Sequence, residues 1–177
     1  TRIYSGGVGL SGYDDISWSA DSKLLSFTLN PLDQSRSKVV LYQLSTGDSA
    51  VVTSDKYDAY SAAFSPDGLW LYFLSNRQFS ATPGHPWGDR NLGPLFDRRS
   101  QIFAVSLKQQ ACFAFRPKQE VDGCDDSAAK DSRNSKKSTL VDWQGLAGRL
   151  WQVPVEAANY RQLSLNDKRL FVLDSSI

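Results

Sequence analysis

The sequence predicts an all-β protein made of repeated four-stranded antiparallel units. Short runs rich in aromatic and β-branched residues alternate with turn clusters of Gly, Pro, Asp and Ser, which is typical of strands and turns. One such unit recurs about 46 residues along the chain, and no amphipathic helix pattern interrupts the strands. The length of 177 residues and the hydrophobic content of 41% suit one domain, or part of one, with a buried core.

The composition excludes several broad classes of function. Twenty basic residues against nineteen acidic residues leave a formal charge of +1, which gives no electrostatic case for binding nucleic acid or an anionic membrane surface. No apolar run approaches the ~20 residues of a transmembrane helix. The chain contains no methionine and begins Thr-Arg-Ile-Tyr, so we expect that it was excised from a larger protein. The lack of a signal-like start then says nothing about the compartment.

The first element that the sequence defines is a hairpin built around the stretch FSPDGLWLYFLSNR. Before the turn, Tyr60–Phe64 is a strand candidate of mostly small residues. Pro66 presets the backbone of a tight turn, Asp67 tolerates its next position, and Gly68 supplies the freedom to leave it. Leu69–Leu74 then follows with almost no polar interruption, so it is predicted to be a strand that is covered on both faces.

The hairpin recurs elsewhere in the chain. Trp18–Phe27 aligns with Phe64–Phe73, 46 residues further on, with matching serine, aspartate, leucine and phenylalanine positions. A weaker third copy, Leu163–Val172, aligns with Asn166 at the position of Asp67. Similarity at a fixed period of this length is typical of a repeat architecture.

Further strand candidates follow each of the first two hairpins. Val39–Leu44 is predicted as a third strand, Ser45–Asp48 as a turn and Ser49–Thr53 as a fourth strand. In the second unit, Gln101–Val105 is the third strand. Four short strands in about 46 residues have the size and composition of one blade of a β-propeller.

Two insertions lengthen the second unit. One adds about 17 residues within 78–99, and the other adds about 36 residues within 108–140. Without them the chain amounts to about 2.7 blades, whereas closed propellers carry at least about four, so this chain cannot close a ring alone. Its end blades should expose apolar faces and strand edges. The predicted organisation is a flexible N-terminal segment, a blade, a blade with both insertions, and the start of a further blade: 1–12, 13–56, 57–155 and 156–177.

Two features match nucleotide-binding or catalytic patterns only in part. Gly7–Gly12 satisfies G-x-G-x-x-G, but a strand and a hairpin turn follow it where a dinucleotide site needs a helix, so we interpret it as a flexible loop. His85 is the only histidine and therefore the only candidate imidazole base. No G-x-S-x-G elbow accompanies it, and we interpret it as a loop histidine within an insertion that could line an opening.

Metal sites are not expected. Asp122–Asp126 resembles the start of a calcium loop but lacks the alternating ligands and the closing glutamate, and together with Lys130–Lys137 it is interpreted as a solvated loop. Cys112 and Cys124 are the only cysteines, whereas structural zinc usually needs four sulfur or imidazole ligands. The sequence leaves open whether these two cysteines form a disulfide.

Several aromatic residues could form a platform for stacking bases or sugars. At their spacing in the predicted strands, the core of a blade is the favoured interpretation. These residues are Trp18, Trp70, Tyr72, Phe73 and Phe103.

Ser-Pro-Asp-Gly turns in repeats of this size resemble the propellers of the TolB and tricorn-protease type, which are related to the WD repeat. A longer pattern, over roughly residues 13–175, resembles the second, seven-bladed propeller of tricorn-type serine peptidases. In that family a stretch similar to 140–160 forms an outer blade strand and crosses to the next blade. The resemblance is carried by Phe64–Gly68, Leu74–Arg77, Arg98–Phe103, Phe113–Pro117, Leu140–Leu146, Arg149–Val155 and Asn159–Tyr160.

This resemblance implies a function. Tricorn-type enzymes are large serine endopeptidases with two propellers, the second of which filters and guides unfolded peptides toward the active site. The chain would be a non-catalytic part of that propeller, because the catalytic serine and histidine of the family lie in later domains. No catalytic, cofactor-binding or metal-binding residue is therefore assigned, and the residues of the substrate path stay unknown. A peptidase assay on this chain alone is expected to show no cleavage.

The resemblance also implies partners and a compartment. The partners would be unfolded peptides, the remaining blades and catalytic domains of the parent, and further copies of the parent in an oligomer. No cofactor, nucleic acid or membrane is implied. Many bacterial relatives are exported, which favours the periplasm, with the cytoplasm as the alternative.

A TolB-like scaffold that binds protein partners, without any attached protease, is the alternative function. The stretch 141–160 favours the peptidase, since a generic scaffold would not need it. PDZ and serine-peptidase domains in the chain that follows in the parent gene would discriminate between the two.

Overall fold

The computed structural model describes residues 12–31, 36–79, 96–109, 111–116 and 141–175. Within these ranges the chain forms antiparallel β-sheets and one short 3-10 turn, Leu146–Gly148, so the predicted all-β class is confirmed. The strands are β1 Tyr13–Trp18, β2 Leu24–Leu29, β3 Lys38–Gln43, β4 Ser49–Val51, β5 Ala59–Phe64, β6 Trp70–Asn76, β7 Ser100–Ser106, β8 Leu150–Gln152, β9 Tyr160–Leu165 and β10 Leu170–Asp174.

The first and second sheets repeat one topology. Strands β1 to β4 form a four-stranded sheet in sequence order, and strands β5 to β8 form the other. Trp18 lies opposite Leu25 in the first hairpin, and Phe64 lies opposite Leu71 at the same position of the second hairpin. The two predicted hairpins and their 46-residue repeat are therefore confirmed.

The third sheet contains the described strands β9 and β10. The chain reaches it from the outer strand of the second sheet, β8, which pairs with β7. After β8, the Val153 N–H donates to the Ile102 carbonyl, and Ala158 and Ser100 exchange two backbone hydrogen bonds. The expected outer strand and crossing are thus present. The three sheets of the described residues do not close a ring, as predicted.

The three sheets stack face to face around two apolar cores. β6 lies in the middle and contributes to both, because alternate side chains of a strand point to opposite faces. Leu71 and Phe73 face the first sheet, whereas Trp70, Tyr72 and Leu74 face the third, and none of them is more than 4% exposed. The prediction of a strand covered on both faces is confirmed.

The turns of the first two hairpins use the same hydrogen bonds. Ser65 Oγ accepts from the Trp70 N–H at 2.9 Å, and Asp67 Oδ1 accepts from the Leu69 N–H at 2.9 Å. Ser19 and Asp21 make the equivalent bonds in the first hairpin. Gly68 has a φ of 69°, in the left-handed region that glycine adopts at little cost, which confirms its predicted role.

The third turn corrects the sequence alignment. The Asn166 N–H donates to the Arg169 carbonyl as the Ser65 N–H donates to the Trp70 carbonyl, so Asn166 takes the position of Ser65 and not that of Asp67. Its Oδ1 accepts from the backbone N–H groups of Lys168 and Arg169, at 2.9 and 2.8 Å. One side chain therefore satisfies two amides, and the turn is shorter because it does not need the serine–aspartate pair.

Candidate functional site

The innermost strands of the three sheets, β1, β5 and β9, border a shallow groove. This inner groove has a volume of about 410 Å³ and is lined by residues 15–18, 62–64 and 162–165. Among the described strands, each of these three pairs with a neighbour on one side only, so its other edge has no backbone ladder partner there. The groove therefore combines side chains with strand edges, on which the N–H groups of Ser61 and Leu163 are already bonded to side chains of the neighbouring sheet.

Two large apolar side chains of β1 stand exposed in the inner groove. Ile16 is 65% exposed and Trp18 is 53% exposed. Asp15, Gln162 and Ser164 provide polar groups beside them. This mixture suits contact with a chain that presents both apolar side chains and backbone amides.

Side-chain oxygens hold the innermost strands together. Asp15 and Ser61 occupy equivalent positions in β1 and β5, both with a φ of 51° and both at a β-bulge. The Ser61 N–H donates to Asp15 Oδ2 at 2.9 Å, and the Leu163 N–H donates to Ser61 Oγ at 3.0 Å. Each bulge residue of the first two sheets thus accepts a backbone hydrogen bond from the next sheet.

A partly buried polar network joins the second sheet to the third near the start of β5. The Tyr60 hydroxyl lies 2.7 Å from Ser100 Oγ and donates to the Tyr160 carbonyl at 3.1 Å, while the Ser100 hydroxyl also donates to Asn76 Oδ1. Burial raises the pKa of Tyr60 above its ordinary value, so the hydroxyl keeps its proton near neutral pH. The network therefore acts as a structural link between sheets.

Asn159 anchors the crossing into the third sheet. Its Nδ2 donates to Asp97 Oδ1 at 2.7 Å, and its Oδ1 accepts from the Arg98 N–H at 3.0 Å. The hydrogen bond from Asn159, followed by that from Arg98, lowers the pKa of Asp97. Asn159 therefore fixes the strand that enters the inner groove.

A second cavity lies where the turns of the second and third sheets meet. This seam cavity has a volume of about 730 Å³ and is lined by residues 65–67, 70, 72, 112, 114–115 and 165–170. Trp70 and Tyr72 are among its aromatic lining residues, and Phe115 packs edge-on against Tyr72 with ring centroids 6.4 Å apart. Burial, with a smaller contribution from the Asp67 charge, raises the pKa of Tyr72 to about 12.

Most of the sequence motifs with candidate chemistry fall outside the described residues. His85, Asp122–Asp126 and Lys130–Lys137 lie there, as does all of Gly7–Gly12 except Gly12. Cys112 is described and is disulfide-bonded. The other cysteine of the chain, Cys124, lies outside the described residues.

The prediction that the aromatic residues form the core is confirmed with one exception. Trp70, Tyr72, Phe73 and Phe103 are at most 5% exposed. For Trp18 the prediction is wrong, because this last residue of β1 is 53% exposed and lines the inner groove. The sequence alignment placed Trp18 at the position of Phe64. Phe64 packs in the core shared with the first sheet, whereas no sheet of the described residues covers Trp18 in the same way.

In the part of the chain that the structure describes, no group of three or more His, Cys, Asp or Glu residues is arranged to hold a metal ion. Within the same residues, no helix has the length and apolarity needed to cross a membrane.

Of the residues that line the two cavities, the sequence indicated a binding role only for the aromatic residues Trp18, Trp70 and Tyr72, as the alternative to a place in the core. For Asp15 and Ser61 the sequence contained one usable signal, because both are short residues with a side-chain oxygen and they lie one repeat period apart. No local pattern marked Ile16, Lys168 or Arg169, because their exposure depends on how neighbouring sheets are placed.

Comparisons with known proteins bear on the fold. No protein-family model and no curated protein matches the sequence. Among solved structures, the tricorn protease matches with a TM-score of 0.72 and 16% identity over 100% of this chain and 16% of that chain. TolB from Acinetobacter baumannii matches with a TM-score of 0.33 and 17% identity over 57% of this chain and 22% of that chain. The chain spans a small part of the tricorn protease and has the fold of an open β-propeller segment like the one found there.

Proposed function

We propose that this chain lines the passage through which an unfolded polypeptide reaches the active site of a tricorn-like serine peptidase. The observation that carries the proposal is the inner groove, which runs across the innermost strands of three consecutive blades. The catalytic residues would lie in further domains of the parent, so the chain itself would bind and guide without cutting.

The groove favours an extended chain over a folded protein as its occupant. An extended chain offers backbone N–H and C=O groups that can pair with free strand edges, whereas a folded protein has already paired most of its own. Ile16 and Trp18 add exposed apolar surface for the side chains of such a chain. A passage within a ring of blades would also exclude folded proteins by size.

The partners of the chain follow from this proposal. The remaining blades of the ring would cover its open end, and the PDZ and serine-peptidase domains of the parent would receive the guided chain. Oligomerisation of the parent would enclose the passage further.

We further propose an oxidising compartment, the periplasm. The disulfide bond at Cys112 supports it, because cytosolic thiols are usually kept reduced. Alkylation of the protein in its source cells, without prior reduction, should leave Cys112 unmodified; full alkylation would point to the cytoplasm.

Binding of a permanently unfolded protein tests the guiding role. Fluorescence anisotropy would compare reduced, carboxymethylated α-lactalbumin with the native protein. We expect the unfolded form to bind at least about tenfold more tightly, and Trp18→Ala to weaken its binding about tenfold, because exposed tryptophans contribute strongly to interfaces.

Trp151→Ala is the matched control, since Trp151 is 39% exposed but lies on the outer strand β8. It should leave binding unchanged. Equal binding of native and unfolded α-lactalbumin would instead favour a scaffold for folded partners. If Trp18→Ala and Trp151→Ala weakened binding equally, the inner groove would not be the site at which the unfolded protein binds.

A further inference from the structure

The seam cavity collects hydrogen-bond donors above an apolar floor. We propose that it binds an apolar molecule that carries a single carboxylate. The cavity lies between the turn of the second blade and the turn of the third, and it shares only Leu165 with the lining of the inner groove. The proposal is therefore independent of peptide guiding.

The Tyr72 hydroxyl is the first donor. Tyr72 is only 4% exposed and lines the cavity, yet its hydroxyl has no hydrogen-bond partner among the described residues. Its oxygen is not one of the fully buried, unpartnered side-chain atoms of the described residues, so it is accessible from the cavity and can donate to a molecule bound there. The Tyr72 hydroxyl carries its proton at neutral pH, since burial raises its pKa to about 12, and it can therefore donate to an acceptor group of the ligand.

Lys168 and Arg169 supply the charged donors. Both line the cavity, and neither forms an ion pair within the described ranges. Their backbone N–H groups are held by Asn166 Oδ1, which fixes the turn that carries them at the rim. Two cations and a neutral hydroxyl together suit a carboxylate, which can accept several hydrogen bonds at once.

Two carboxylates limit the charge of the ligand. Asp67 Oδ1 already accepts hydrogen bonds within its own turn, and Asp167 lies on the rim beside the two cations. The lining is therefore neutral in sum, with two residues of each sign. A monoanion can contact the cations without strong repulsion, whereas a dianion such as a phosphate monoester cannot.

The apolar part of the cavity lining favours a ligand with an apolar group attached to its carboxylate. Trp70, Leu165 and Leu170 line the cavity beneath the donors. The volume of about 730 Å³ lies in the usual range for small-molecule sites, roughly 300–1,000 Å³. Both a small aromatic acid and the C-terminal end of an apolar dipeptide have this chemistry, and the experiment separates them.

Ligand-observed NMR titration of the whole chain tests the proposal with matched acid and amide pairs. The first pair is 3-phenylpropionate and 3-phenylpropionamide, and the second is acetyl-Leu-Phe with a free or an amidated C-terminus. We expect at least one acid to bind at about 1 mM or tighter, and each acid that binds to do so about tenfold more tightly than its amide. The tighter pair identifies the source of the carboxylate, and phenyl phosphate should not compete.

Variants test whether the preference for acid over amide arises at the seam cavity. Lys168→Gln combined with Arg169→Gln should abolish the preference for acid over amide. Tyr72→Phe should weaken acid binding about threefold to tenfold without lowering the melting temperature, because the hydroxyl that it removes has no partner in the described structure. Lys23→Gln, in the equivalent turn of the first blade, and Trp18→Ala, in the inner groove, should leave acid binding unchanged.

Three results would each overturn the proposal. They are equal binding of acid and amide in both pairs, an acid preference that survives the double variant, and no binding of either acid up to about 10 mM. Loss of acid binding in Trp18→Ala alone would assign it to the inner groove instead.

Discussion

Asp15 shows how one residue joins two blades. Its left-handed backbone costs a non-glycine residue about 1–2 kcal/mol. In that conformation its carboxylate accepts the Ser61 N–H and the Thr28 hydroxyl, at 2.9 and 3.2 Å. The hydrogen bonds offset the strain and set the spacing between β1 and β5, the two strands that begin the inner groove.

Asp15→Ala should therefore lower the free energy of unfolding by about 1–2 kcal/mol, because the N–H of the buried Ser61 loses its acceptor. Urea denaturation measures the change. Asp14→Ala is the control, since the described contact of its carboxylate is a surface hydrogen bond from Asn30, and we expect a change within about 0.5 kcal/mol. Equal effects of both variants would contradict a specific link through Asp15.

The β6 strand is the element on which both cores depend. It contributes apolar side chains to each face, so the first and third sheets pack against opposite sides of the same strand. Trp70, its first residue, packs against Phe113 with ring centroids 5.1 Å apart. A strand that is buried on both faces needs no polar alternation, which explains the continuous apolar run in the sequence.

Trp70→Ala and Trp18→Ala make the same chemical change in two environments. We expect Trp70→Ala to cost about 3–5 kcal/mol of unfolding free energy, because it leaves a large cavity in a core where Trp70 is 3% exposed. Trp18→Ala should cost less than about 1 kcal/mol, since Trp18 is 53% exposed. Chemical denaturation of both variants checks this difference, and similar losses would place Trp18 in a core.

The two ends of the molecule differ in how they are covered. On the first sheet, Leu25, Phe27, Leu29 and Val40 form a cluster of buried side chains. On the third sheet, Phe171 and Leu173 of β10 are 47% and 58% exposed. The predicted exposed apolar face is thus present at the third sheet, where a further sheet would stack in a propeller.

This exposed face should drive concentration-dependent self-association of the isolated chain, because apolar side chains that a neighbouring sheet would cover favour any apolar partner. The double variant Phe171→Lys and Leu173→Lys should shift the mass measured by light scattering toward the monomer. Val155→Lys is the control, since Val155 is 41% exposed but precedes β9. A chain that stays monomeric up to about 100 μM, or an equal effect of Val155→Lys, would contradict this prediction.

The parts of the fold that were predictable depend on local chemistry. Ser65, Asp67 and Gly68 form their turn through groups within a few residues of one another, and its copy at Ser19 and Asp21 repeats the same bonds. The third turn was less predictable, because Asn166 alone replaces a serine–aspartate pair and shifts the register. Of the candidate site, the sequence indicated a propeller passage, and among its lining residues it named Trp18 only as a possible stacking residue.

By itself, the sequence determined that this chain forms repeated antiparallel hairpins, that β6 is buried on both faces and that these blades alone do not close a ring. These properties follow from turn chemistry, apolar patterning and length, which act along the chain. Only the tertiary structure decided that Trp18 is exposed, that Asp15 holds the next blade and that Tyr72 meets Lys168 and Arg169 at one cavity. Those properties depend on contacts between sheets whose residues lie up to about a hundred positions apart, and no local pattern encodes them.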